Sequence, residues 1–160
     1  MHIEYLHASK YGNGAAVAAE FKRHLEAKGI TVAVHHVREA DPKALPPADL
    51  YLFSSPGRMG RPIGTMRRFL KRLRLPAGAT YALLTTEMAP QPDGRSGRLP
   101  TEEELGACQQ VIPHMNEALR AAGLVSVAED KVFVTGMKGP LEPGWEEKVD
   151  AFADRLPVAA

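Results

Sequence analysis

The sequence predicts a single three-layer α/β domain, with a five-stranded parallel sheet carrying helices on both faces. Three observations lead there. Five short β-type segments alternate with longer segments of helical period, the pattern of βαβ units. Residues 49–54 (Asp-Leu-Tyr-Leu-Phe-Ser) are a near-continuous apolar run of strand length, as a strand covered on both faces requires. Polar, glycine-bearing loops follow the first, third and fourth strands, at the sheet end where ligands of open α/β sheets sit. The 160 residues fit one domain with a core of ordinary size.

Residues 3–6 read as the first strand. The next segment, residues 15–28, places Val17, Phe21 and Leu25 at four-residue steps, one apolar stripe with Glu20, Lys22, Arg23 and Glu26 elsewhere. Gly29 stands where a helix is capped. Residues 30–37 are β-branched and alternating, with His35 and charged neighbours following, so this strand is expected near a sheet edge. Asp41-Pro42 and Pro46-Pro47 mark the loop before the apolar run at 49–54.

Pro62 suits the first turn of the following helix, whose inner face is Ile63, Met66, Phe69 or Leu70, and Leu73. Residues 81–84 are the fourth strand, continuing through 85–88. Residues 89–100 form a polar loop of a length that is functional or disordered in most domains. Thr101 and Glu104 have capping-box spacing and open a helix. Leu105, Cys108, Ile112, Met115, Leu119 and Ala122 make its stripe, and Pro113 inside that stripe kinks or divides it. Residues 132–134 are the fifth strand, and Trp145, Val149, Phe152 and Leu156 line the last helix.

Composition excludes several function classes. The apolar content is 44%, the charged content 24% and the formal charge +1, so no global field commits the chain to nucleic acid or a membrane surface. No apolar run approaches the roughly 18–20 residues of a membrane span. No basic-then-apolar leader is visible, and Cys108 is the only cysteine, so a cytoplasmic setting is expected. Cys108 lies on a helical stripe, which predicts a buried structural thiol. His35 and His36 are adjacent on a strand and point to opposite faces, and the six histidines show no metal-ligand spacing, so no metal is expected. His7 reads as a satisfied loop histidine. The basic run 58–74 reads as a solvated helix face or as a dock for an acidic redox partner. Nucleic acid is not expected there, because the aromatic interleaving of single-strand binders is missing.

The first loop is Ser9, Lys10, Tyr11, Gly12, Asn13 and Gly14, set between a strand and a helix. Unpaired first-turn N–H groups and the helix dipole suit an anion, usually a phosphate. Glycine permits positive φ and close approach, and the same layout also serves as a plain turn. It is neither Gly-X-Gly-X-X-Gly nor a P-loop. The second loop is Ser54-Ser55-Pro56-Gly57-Arg58-Met59-Gly60.

These two loops resemble those of the flavodoxin family. The first is similar to that family's phosphate loop, Ser/Thr-X-Thr-Gly-Asn-Thr, and the second to its Ser-Pro-X-Tyr-X-Gly flavin loop. The resemblance covers the whole chain in element order and implies strand order 2-1-3-4-5, noncovalent FMN and electron transfer. It implies that residues 9–14 wrap the FMN phosphate and that Pro56, Gly57, Arg58, Met59 and Gly60 pass along one side of the ring. Thr85, Thr86, Glu87 and Met88, with part of the loop 89–100, would meet the other side. Tyr11 and Gly14 replace the motif's threonines, and Met59 or Met88 would cover the ring where flavodoxins place aromatics. Arg58 near the ring would favour the anionic reduced flavin. The expected function is an FMN-binding electron carrier or a small FMN-dependent oxidoreductase acting on a quinone or porphyrin precursor, with a redox partner protein or small-molecule substrate. No side chain offers itself as an obligatory acid or base. The alternative is a flavodoxin-like interaction or regulatory module that has lost FMN.

Overall fold

A computed structural model describes residues 1–157 of the chain. In order it contains β1 (His2–His7), α1 (Asn13–Glu26), β2 (Thr31–His36), β3 (Leu50–Ser54), the short strands β4 (Gly57–Arg58) and β5 (Arg61–Pro62), and α2 (Gly64–Arg72). These are followed by β6 (Thr80–Met88), α3 (Glu102–Cys108), α4 (Val111–Ala121), β7 (Val125–Val134) and α5 (Trp145–Asp154). The central sheet is parallel throughout, in the order β2-β1-β3-β6-β7. With the β4–β5 hairpin set aside as a separate two-stranded piece, this is the order 2-1-3-4-5. The strand that ends in two adjacent histidines, β2, is at an edge.

Strand alternation sends successive side chains to opposite faces and so builds two cores. Ile3, Tyr5, Leu52 and Leu84 face α1 and α5, where Val17, Phe21, Leu25, Val149 and Phe152 complete one cluster. Phe21 meets Tyr5 edge-on at 5.2 Å between ring centroids. Leu6, Phe53, Tyr81 and Leu83 face α2 and α4, packing on Met66, Phe69, Met115 and Leu119. Every residue of β3 is buried, as its unbroken apolar run demands. A polar chain crosses the second layer. The Tyr81 hydroxyl donates to Asn116 Oδ1 at 2.6 Å, and Asn116 Nδ2 donates to Glu129 Oε2 at 2.7 Å, tying α4 to β6 and β7.

Four sequence expectations need correction. The helix expected over 101–122 is divided, as the proline in its stripe implied, but at Gln109-Gln110 rather than at Pro113. Pro113 then occupies the first turn of α4, where its missing N–H costs nothing. Because of that break, α3 is out of phase with α4. Thr101 caps it in a reciprocal capping box with Glu104, yet it buries no residue, and Cys108 is exposed rather than buried. The fifth strand begins at Val125, not 132. Glu129, Asp130 and Lys131 hide it from a hydrophobicity reading, and as an edge strand it tolerates them. Pro62 lies in β5, and α2 begins two residues later. Shifts elsewhere are one or two residues at element ends, as where α1 opens at Asn13.

Candidate functional site

The loops after β1, β3 and β7 and the end of β6 enclose a cleft of about 520 Å³ at the carboxyl end of the sheet. That size suits a cofactor. Its first wall is the turn into α1. Gly12 caps the helix at φ 97°, a left-handed geometry open to glycine, and no side chain caps it. The first intrahelical bond runs from Ala16 N to Gly12 O at 3.0 Å. The N–H groups of Asn13, Gly14 and Ala15 therefore precede the helical ladder and carry the positive end of its dipole. Gly14 packs against Ser9, where a Cβ would stand 3.2 Å from the Ser9 Cβ.

Ser9 is held by two histidines. Its N–H donates to His7 Nδ1 at 3.2 Å. The Arg38 N–H donates to His36 Nδ1, so His36 Nε2–H is left to donate to the Ser9 carbonyl at 3.0 Å. Burial first, and then the neighbouring imidazole of His36, push the His7 pKa down, which keeps Nδ1 free as an acceptor. The sequence offers no sign of this clamp. His7 and His36 are brought side by side only by the β1–β2 register. His35, on the other face, reaches Glu4 Oε2 at 2.9 Å. Tyr11 lies between two lysines, with Lys10 Nζ 5.4 Å and Lys138 Nζ 5.7 Å from its ring centroid. Two cations thus sit on the Tyr11 ring, and Gly139, the chain neighbour of Lys138, packs against Asn13 at the start of α1.

The second wall is the β4–β5 hairpin. Its two-residue tip, Met59 and Gly60, has both φ angles positive at 53° and 78°, as the tightest hairpin turns require. Gly60 O accepts from Gln110 N at 2.8 Å, which docks the hairpin on the α3–α4 junction. The side chain of Met59 is 95% exposed. At the hairpin base, Ile63 N donates to Ser55 Oγ at 3.2 Å.

The third wall is the end of β6. Thr86 and Met88 face the α1–α5 layer beside Val134 of β7, whereas Glu87 faces α4. Glu87 is 4% exposed, its Oε2 lies 3.6 Å from Lys131 Nζ, and its Oε1 has no hydrogen-bond partner. Burial raises its pKa against the opposing pull of Lys131. The folded chain therefore holds this proton more tightly than the unfolded chain, and stability is lost as pH rises from the ordinary carboxyl range through the raised value. Glu87→Gln removes that loss, while Lys131 keeps its bond to Gln109 Oε1 at 2.8 Å. Urea unfolding of both proteins from about pH 4 to pH 8 should show the variant gaining on the parent as pH rises.

The cleft brings together Ser9, Lys10, Tyr11, Asn13, Gly14, Pro56, Gly57, Arg58, Met59, Thr86, Glu87 and Met88. Gly12 and Gly60 shape the two turns from behind without lining it. Thr85 is buried on the far side of β6, and no residue of 89–100 reaches the cleft. That loop turns back on itself, Asp93 N donating to Arg98 O at 2.8 Å, and is tied to α3 by Arg98 on Glu104 at 2.9 Å. Sequence reasoning missed Ile63, Val134 and Met137. Val134 and Met137 belong to the end of the fifth strand and its loop, and the position of every other lining loop at a strand's carboxyl end was the available signal. Chemically, the cleft joins an anion-binding end to an apolar slot walled by Met59, Met88, Met137, Ile63 and Val134. Among the described residues no cluster of His, Cys, Asp or Glu has the makings of a metal centre, and no helix is long and apolar enough to cross a membrane.

No protein-family model matches the sequence, and no curated protein matches it. Solved structures do match. Flavodoxin 2 from Bacillus cereus superposes with TM-score 0.71 at 22% identity, over 97% of each chain. A short-chain flavodoxin associated with a non-canonical PDU bacterial microcompartment gives TM-score 0.70 at 16% identity, over 98% of this chain and 96% of that one. The rubredoxin oxygen:oxidoreductase of Desulfovibrio gigas gives 0.68 at 11% identity. It covers 97% of this chain, which spans only 35% of the oxidoreductase. The chain has a flavodoxin-like fold.

Proposed function

We propose that the chain binds FMN in this cleft and works as a small flavin-dependent redox protein, an electron carrier or a reductase of a small acceptor. The observation that carries the reading is the pairing of an uncapped α1 N-terminus, preceded by Tyr11 with Lys10 and Lys138 on its ring, with an apolar slot of cofactor size. The donor set fits FMN. Open N–H groups and two cations suit a phosphate dianion, and polarisable methionine surfaces suit a flat aromatic ring. Glu87 Oε1, buried and unpartnered, suits a ring N–H at the other end. When bound, FMN supplies one- and two-electron chemistry. The chain's own residues hold the phosphate, cover the ring and exclude water. The exposed thiol of Cys108 suits a reducing, cytoplasmic setting.

Arg58, exposed on the cleft rim, places positive charge beside the slot. Replacing it with alanine should lower the two-electron potential by roughly 20 mV, equivalent to about 1 kcal/mol for that couple, since an exposed charge is well screened. A redox titration of the holoprotein and of Arg58→Ala reads this directly, and an unchanged potential contradicts a ring beside Arg58. The reading as a whole is tested by reconstituting with FMN, desalting and recording the visible spectrum. Flavin bands that stay with the protein support it, and a colourless product contradicts it.

A further inference from the structure

The cations beside the cleft are more than a solvated helix face. From Leu50 to Thr86 the sequence has no acidic residue, although the whole chain is only +1, so the rest of the molecule is net acidic. Arg58 and Arg61 on the hairpin and Arg67, Arg68, Lys71 and Arg72 on α2 are all exposed. Among the described residues, none of the six has an ion-pair partner, while cations elsewhere do, as in Arg23–Glu20, Lys28–Asp154 and Arg155–Asp130. Arg67 and Arg68 also fold back toward the helix start. A Cβ on Gly64 would stand 3.2 Å from Arg68 Nη1 and 3.8 Å from Arg67 Nη2. Two guanidinium groups therefore converge at the positive end of α2, where charge and dipole repel them. Ile63, the residue that opens α2, lines the cleft, so this focus of charge adjoins it. Met59 and Met137, 95% and 75% exposed, supply adaptable apolar surface at the cleft mouth.

We infer that the β4–β5 hairpin and the exposed face of α2 are the docking surface for an acidic redox protein, which exchanges electrons with a flavin in the adjoining cleft. A nine-residue helix is about 13 Å long, so the cations extend over more surface than a small anion covers. An apolar centre with a charged rim has the anatomy of a transient protein interface. The inference rests on the flavin reading for its electron step, though the docking itself needs no flavin. Each encounter oxidises the donor by one electron and reduces the bound flavin by one. Two encounters and one proton from water complete the reduction to the anionic flavin.

The test uses a plant-type [2Fe–2S] ferredoxin, an acidic one-electron carrier, as the probe. Its binding to the whole protein is measured calorimetrically at low and high salt, beside Arg67→Glu/Arg68→Glu. Neither substituted residue lines the cleft, and the variant places acidic side chains where a helix start favours them. Salt and the double substitution should each weaken binding about tenfold. In the FMN-loaded protein the variant should slow reduction by ferredoxin by a similar factor, leaving reduction by a photoreduced neutral deazaflavin unchanged. Equal ferredoxin affinity in parent and variant overturns the proposal, as does displacement of ferredoxin by poly(U) RNA or by phosphatidylglycerol vesicles. Salt-dependent ferredoxin binding by a protein that takes up no FMN supports the docking surface and sinks the flavin reading alone.

Discussion

Asn13→Asp should weaken FMN binding by about a hundredfold, leave riboflavin binding unchanged and stabilise the free protein. The three effects share one cause. Position 13 is the first residue of α1, beside the open N–H groups. A carboxylate there gains about 0.3–1 kcal/mol from the helix dipole when the cleft is empty. With a phosphate present, two anions face the same donors. At an effective dielectric near 20 the repulsion is about 4 kcal/mol at 4 Å. Screening by Lys10, Lys138 and solvent brings this toward about 2.8 kcal/mol, a hundredfold in affinity. The substitution is isosteric, so the close packing of Asn13 against Gly139 is kept. Flavin fluorescence titrations with both ligands, together with urea unfolding, separate the effects. Equal losses for FMN and riboflavin would show that the phosphate lies elsewhere.

Gly60→Ala should cost about 3 kcal/mol of stability, or roughly 6–12 °C in Tm for a domain of this size. A left-handed conformation costs a non-glycine residue about 1–2 kcal/mol. The alanine Cβ would also stand 2.1 Å from the Cys108 carbonyl oxygen, and backbone cannot yield cheaply. Moving the hairpin aside breaks the Gln110–Gly60 bond, worth about 1 kcal/mol more. Gly78→Ala is the control. Its φ of 85° is comparable but nothing lies within 4 Å of its Cβ, so only the conformational cost remains. Thermal unfolding of the two variants therefore isolates the collision. Similar Tm losses would mean that the hairpin is not seated on the α3–α4 junction.

The parts of this molecule that were legible in the sequence are those whose physics is local. The apolar run of β3, the Val17–Phe21–Leu25 stripe of α1 and the two glycine-bearing loops each fit within a short window. Parallel pairing then brings the loops to one edge without further information. What escaped depends on long-range geometry. Cys108 shares a periodic stripe with Met115, but a two-residue break between helices rotates it into solvent. The His7–His36 clamp on Ser9 exists only through strand register. β7 is masked by Glu129, Asp130 and Lys131, which an edge strand can carry and a central one cannot. Met137 reaches the cleft from a loop that looks like an ordinary glycine–proline connection.

In the proposed function, the β1–α1 turn and the methionine-walled slot together hold FMN. Titration of FMN with increasing apoprotein, followed by quenching of flavin fluorescence, tests it most directly. Saturable one-to-one binding is expected, with Kd of about 1 μM or tighter, some 8 kcal/mol of binding free energy. FMN should be clearly preferred over riboflavin. Fluorescence that stays unquenched up to about 1 mM protein, where binding is worth only about 4 kcal/mol, would contradict it and leave a flavodoxin-like fold that works without its flavin.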